Sequence, residues 1–195
     1  MVKKVILLFL FLIAGKAFCQ NLDFRILKAI NKTDMPKWDK GMRGLSNTVN
    51  PLIPVTVVGI FANGYFTKDK VMMRNGVKSA ITIGFAALVS SGLKISINRP
   101  RPDIKYPGEF VQRTHAGRYS FPSGHTTSAF AMATSLTLSY QKWYVAVPAY
   151  LYAGMVGYSR MRLGVHFPSD VLGGMVVGIG SGLLVWQVDR MLNKK

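Results

Sequence analysis

A chain of 195 residues with one cysteine has room for a single domain and no internal disulfide. Its residues are 49% hydrophobic and 17% charged, with the apolar ones gathered into long runs and a mean hydropathy of +0.23, which argues against a soluble globule and for a small integral membrane protein. The net charge of +17 sits between the apolar runs rather than along a polar face. That placement disfavours nucleic acid and points to anionic lipid headgroups or a phosphorylated substrate.

In chain order, residues 1–19 read as a signal peptide or a first membrane anchor. Lys3 and Lys4 precede the run VILLFLFLIA, and Ala17 two residues before Cys19 gives an A-x-C pattern with Gln20 as the new start. Either version puts the following residues outside the cytoplasm. Residues 20–50 are amphipathic: Leu22, Ile26, Leu27 and Ile30 recur at helical spacing and Pro36 interrupts them. The expectation is two short helices at the membrane–water boundary, with a solvated linker as the alternative.

Residues 51–195 form the membrane domain. Five apolar segments, at about 51–66, 77–95, 122–140, 143–158 and 171–188, each approach the ~20 residues a crossing needs. The loop with Lys68, Lys70, Arg74 and Lys78 and the tail DRMLNKK suit the cytoplasmic side. Five crossings from an outside start put both there. The expected fold is all-α, an integral membrane helical bundle of five spans plus the N-terminal segment. Gly174, Gly178 and Gly182 make a small-xxx-small ridge on the last span, a packing surface.

Two connections then lie outside, 96–121 and 159–170, and the first breaks the positive-inside rule. Around it Lys94, Arg99, Arg101, Lys105, Arg113 and Arg118 are opposed within the loop by Asp103 and Glu109 alone. Binding of phosphate is a reason to place charge there. Three clusters sit on this side: Lys94–Pro102, Pro122–His125 and Ser159–Asp170. Singly, each has an ordinary reading as snorkelling, capping or interfacial residues. Together they assemble the parts of phosphoryl transfer. Lys94, Arg101 and Arg160 supply charge for the phosphate oxygens, and Ser123 and Gly124 offer donors where Pro122 suits a first helical turn. His125 and His166 fit a proton donor and a nucleophile. Asp170, four residues after His166, is placed to fix its tautomer and free the other ring nitrogen. No Cys/His cluster or carboxylate run has metal-ligand spacing, so no metal and no cofactor is expected.

The order K-x6-RP, PSGH, SR-x5-H-x3-D is similar to the three-part signature of the type 2 phosphatidic acid phosphatase superfamily, which also includes soluble vanadium haloperoxidases and bacterial acid phosphatases. The match runs from Lys94 to Asp170, and the flanking apolar segments resemble the family's membrane branch. The resemblance implies catalysis by His166, His125 and Asp170: His166 forming a phosphohistidine, Asp170 orienting it, and His125 protonating the leaving group. It implies phosphate binding by Lys94, Arg101, Ser123, Gly124 and Arg160, with no metal. The usual six spans of that branch are a departure, since here the first is replaced by, or doubles as, a signal peptide. The expected activity is a phosphatase acting on a membrane lipid at the periplasmic face of a bacterial-type inner membrane. Lipid A phosphate or undecaprenyl diphosphate is favoured over phosphatidylglycerol phosphate or phosphatidic acid. The rivals are a vanadate-dependent haloperoxidase-like enzyme and a non-catalytic protein that binds anionic lipid. Arg99 and Arg162 are read as headgroup or interfacial residues, and His115 as a solvated loop residue. Oligomeric state is left open.

Overall fold

A computed structural model describes residues 16–32 and 34–193, with side-chain surroundings from residue 22 onward. Among the described residues every regular element is a helix: α1 (Lys16–Asn31), α2 (Pro36–Asn47), α3 (Val49–Phe66), α4 (Lys70–Ile97), α5 (Pro102–Lys105), α6 (Gly124–Tyr140), α7 (Trp143–Arg162) and α8 (Pro168–Leu192). The expected all-α class holds. Each of the five apolar segments lies largely within one long helix. Three stretches are long and apolar enough to cross a bilayer: Pro36–Phe66, Lys70–Lys105 and Pro168–Leu192. The signal or anchor expected over 1–19 lies outside the described residues but for its last four, where α1 has begun.

Local chemistry explains the ends of α4. The Asp69 carboxylate accepts from the backbone N–H groups of Val71 and Met72 at 2.9 and 3.0 Å, capping the otherwise orphan donors of the first turn. At the far end Asn98 takes up a left-handed conformation (φ 48°), a role its short polar side chain tolerates, and releases the chain into the loop that carries Arg99 and Arg101. The intervening 28 residues span about 42 Å.

Helix α6 occupies the centre, packed against α3, α4, α7 and α8. Its middle, Thr126 to Ser135 apart from Ser128, is buried. The glycine ridge of α8 seats against it. A methyl group at Gly178 would stand 2.5 Å from the Thr127 carbonyl oxygen, and one at Gly174 would stand 2.7 Å from that of Ser123. Only a hydrogen side chain permits so close an approach. Val49, Ile53, Ala129, Phe130, Met132, Ala133, Ala153 and Val156 form the bundle core. Hydroxyl pairs join helices inside it, Ser79 with Ser135 and Thr134 with Tyr150, both at 2.9 Å. Outward-facing Val55, Val58, Leu88, Leu151, Leu172 and Val176 stay exposed, an apolar girdle that suits lipid rather than water.

Helices α1 and α2 form a cap on the end of the bundle where α6 and α8 begin and α4 and α7 finish. This cap has its own core. Leu27, Phe110 and Phe167 are buried together with Phe24 and Tyr106 at their edge, and the four rings meet edge to face with centroids 4.9 to 6.5 Å apart. Met42 packs on Leu163 and Val165. The Asn31 side chain donates to the carbonyls of Val111 and Arg162 and accepts from the Val111 N–H, tying α1 to both connections that carry the motifs.

Candidate active site

The three sequence clusters converge beneath this cap. Lys94 comes from the last turn of α4, Arg101 from the following loop, Ser123 and Gly124 from the start of α6, Arg160 from the last turn of α7, and His166 from the α7–α8 turn. Asp170 lies in the first turn of α8. The N-termini of α6 and α8 are joined directly, since the Ser123 N–H donates to the Asp170 carbonyl at 3.0 Å. Helix α6 starts at Gly124, so Pro122 precedes the cap residue Ser123 instead of occupying the first turn as its sequence position suggested. Pro168 is the first residue of α8. The leading N–H groups of α6 have no partner one turn back and lie at the positive end of the helix, where an anion is favoured.

The cations hold neutral partners. Lys94 Nζ donates to the carbonyls of Pro122 at 2.7 Å and Tyr119 at 3.3 Å. Arg101 donates from Nη1 to the Val165 carbonyl at 2.5 Å and from Nε to the Gly117 carbonyl. Arg160 Nη1 donates to the Ser46 hydroxyl at 2.6 Å, while its Nε is buried without a hydrogen-bond partner among the described residues. Arg101 and Arg160 are almost wholly buried. Lys94 lies within electrostatic reach of both, and His125 of all three.

In a chain with only eight carboxylates, where the others go is informative. Asp23, Asp34, Asp39, Glu109, Asp170 and Asp189 form ion pairs with other residues, and Asp69 caps α4. Among the described residues no ion pair includes Lys94, Arg101 or Arg160. Asp170 lies within electrostatic reach of Lys94 and Arg101, and Asp103 of Arg101, but with no ion pair to any of the three the cluster still favours a further anion.

The His166 ring is 2% exposed. Its Nε2 lies 3.4 Å from Arg101 Nη1 and its Nδ1 3.6 Å from Asp170 Oδ2. A guanidinium can only donate, so the first contact requires a bare Nε2 and places the ring proton on Nδ1, facing the carboxylate. The second distance exceeds a hydrogen bond, a common condition of such pairs before substrate tightens them. Burial pushes the ring down to about 3, against the opposing pull of Asp170, so it is neutral with a free lone pair at neutral pH.

Several residues prominent in this arrangement were passed over in the sequence. Asp170 accepts from Arg99 Nη1 at 2.5 Å, from the Ser120 hydroxyl at 2.5 Å and from the Phe167 N–H at 2.8 Å. Arg99 therefore faces inward and is no headgroup or interfacial residue. Arg162 is likewise internal, bonded to Asp39 Oδ1 at 2.7 Å and to the Ile30 carbonyl. Arg113 pairs with Asp39 and Asp34. The charge excess of the loop between α4 and α6 is consequently smaller than its sequence implied, because acidic residues of the cap neutralise part of it. Lys105 and Arg118, the remaining loop cations, lie over the rings of Tyr106 and Tyr119. The available signal was the scarcity of carboxylates: Asp23, Asp34 and Asp39 are three of eight, all in the amphipathic segment.

The sequence profile of the PAP2 superfamily matches residues 75–194. Phosphatidylglycerophosphatase B of Bacillus subtilis is 30% identical over 207 aligned positions, covering 100% of this chain and 98% of that protein. Lipid A 4'-phosphatase of Bacteroides thetaiotaomicron is 26% identical, covering 91% of this chain and 81% of that one. Among solved structures, a transmembrane PAP2-type phosphatidylglycerolphosphate phosphatase from Bacillus subtilis superposes with a TM-score of 0.79 at 32% identity, over 100% of this chain and 99% of the other.

Proposed function

This chain belongs to the PAP2 superfamily and is a lipid phosphatase, and on that premise we propose that it removes the terminal phosphate of a lipid monophosphate or diphosphate by way of a phosphohistidine. Lys94, Arg101 and Arg160 hold the phosphate oxygens, with the Ser123 hydroxyl and the N–H of Gly124 as further donors. His166 Nε2 attacks phosphorus while the Asp170 carboxylate compensates the positive charge that develops on the ring, whose proton stays on Nδ1. The P–O bond to the lipid breaks as His125 delivers a proton to the departing oxygen. Water, deprotonated by His125, then attacks the phosphohistidine, releasing inorganic phosphate and restoring the free ring.

The observation that carries this reading is the set of three cations with no ion pair among the described residues, around a buried, neutral histidine whose Nε2 is bare. Positive charge held in place before substrate arrives stabilises charge spread over the equatorial oxygens, the dominant contribution to phosphoryl transfer. The remaining apolar helices, α6 and α7, complete a bundle of five spans. The positively charged loop at residues 67–78 suits the cytoplasmic face, which supports a site that opens at the opposite, periplasmic face of a bacterial inner membrane. There the headgroup of an outer-leaflet lipid meets the cap.

A panel of four substrates tests the proposal: phosphatidylglycerol phosphate, lipid A, undecaprenyl diphosphate and phosphatidic acid, given to purified protein in detergent with His166→Ala as control. Release of inorganic phosphate from at least one, lost in the control, is expected. Hydrolysis unaffected by His166→Ala would refute the assigned nucleophile, and no release from any of the four would refute the substrate class.

A further inference from the structure

One buried chain of charge leads from the cap into the site through Arg99, to which no catalytic or phosphate-binding role has been given. Asp23 of α1 is 4% exposed, and its Oδ2 accepts from Arg99 Nη2 at 2.7 Å. The other arm of the same guanidinium, Nη1, donates to Asp170 Oδ1 at 2.5 Å and to the Ser169 hydroxyl at 2.6 Å. Asp23 also accepts from the Ser169 N–H at 2.9 Å and from its hydroxyl at 2.5 Å, so it grips Arg99 and the first turn of α8 at once. The guanidinium lies 4.4 Å from the centre of the Phe167 ring, and the Arg99 carbonyl accepts from the Ser120 N–H at 2.8 Å. Ser120 in turn donates to Asp170 Oδ2. Arg99 is thus fixed on both arms, on one face and through its own backbone.

A planar fork joining two carboxylates sets direction as well as charge. Asp170 has no freedom to rotate its Oδ2 away from His166 while Arg99 holds Oδ1. Asp23 keeps Arg99 from swinging toward an arriving phosphate, which would otherwise compete for the guanidinium.

We propose that Arg99, clamped by Asp23 of the N-terminal cap, is a positioning residue that holds Asp170 in register with His166, so that α1 is part of the machinery of turnover. The inference rests on the phosphohistidine reading of the same site. Arg99 touches no substrate in this account. Its loss therefore lowers kcat and leaves KM nearly unchanged, unlike loss of Lys94, Arg101 or Arg160, which weakens both.

The test compares Arg99→Gln, Arg99→Lys and Asp23→Asn with the parent protein in detergent, using the best lipid phosphate from the panel and thermal unfolding as a folding control. Arg99→Gln is expected to lower kcat on the order of 10- to 100-fold with KM within about twofold, the scale of a displaced reactive group. Arg99→Lys recovers part of the loss, and Asp23→Asn falls between. A second readout needs no turnover: the ring titration of His166 followed by nitrogen NMR. The charged groups facing that ring are Asp170, Arg101 and Arg160. Removing Arg99 leaves the Asp170 charge less compensated, so the His166 titration moves up toward the ordinary value in Arg99→Gln and stays near the parent in Arg99→Lys. An Arg99→Gln protein with parental kcat, or one whose lower kcat comes with an unmoved His166 titration, overturns the proposal. A parent inactive on all panel lipids speaks against the phosphatase reading, and the titration still decides the coupling of Arg99 to His166.

Discussion

At the scale of single residues, the site sets one histidine apart from the other by burial and by partners. His166 is enclosed, with Asp170 behind one nitrogen and Arg101 before the other, while His125 stands at the second position of α6 with partial exposure. The pH dependence follows from the first environment. Burial lowers the ring to about 3, so the neutral, attacking form persists as acid is added and would be lost only as pH falls through that value. The acid limb of kcat/KM, with the ionisation of the substrate phosphate divided out, is therefore expected below about pH 5. An acid limb from the enzyme near the ordinary histidine value would show that the His166 ring is solvated. The role of His125 is separable by leaving group. His125→Ala should lower turnover of an alkyl lipid phosphate by about 100- to 10,000-fold and that of p-nitrophenyl phosphate far less, because nitrophenolate departs without a proton. Equal losses on both would place His125 in binding instead.

Among the elements, the cap was the least legible part of the chain. Apolar residues at i, i+4 and i+5 in α1 announced a helix, and Pro36 announced the break. Nothing in the spacing said that the polar face between them, Asp23, Asn31 and Asp39, would be buried too. Long-range ion pairs leave no periodic trace, so Arg99, Arg113 and Arg162 looked like surface charge until their carboxylates were placed by the fold. The motif residues were legible as motifs, from residue type and spacing, although most of their partners are remote as well: Lys94 bonds Pro122, Arg101 bonds Val165 and Arg160 bonds Ser46. Two consequences concern elements. Asp39→Ala leaves the side chains of Arg162 and Arg113 without their shared carboxylate, with Arg162 and Asp39 at 3% and 7% side-chain exposure. The cost should be about 3–5 kcal/mol, read as a lower midpoint of unfolding in detergent. On α8, Gly178→Leu meets the backbone of α6 and should cost about 1–3 kcal/mol, whereas Gly180→Ala meets nothing within 4 Å and should be neutral or mildly stabilising. Equal stability of the two variants would mean that α6 and α8 do not pack as described.

For the whole molecule, the bundle presents an apolar girdle to lipid and gathers its buried charge at one end. The helical class and the five apolar helices were readable from run lengths and from the glycine ridge. Which of those helices faces lipid was not, because α6, the most enclosed, is no more apolar to the eye than its neighbours, and its threonines and serines find partners only in the packed bundle. The same economy of carboxylates spans the molecule: ion pairs lock the cap and the opposite end, and among the described residues none engages Lys94, Arg101 or Arg160. The central claim is that these cations hold a lipid phosphate passed to His166. Rapid acid-free quench of the protein with radiolabelled substrate, followed by peptide mapping, tests it most directly. The account predicts base-stable, acid-labile phosphate on the peptide containing His166, formed in a burst and absent in His166→Ala. Full turnover with no labelled histidine under burst conditions, or label on another residue, would contradict it.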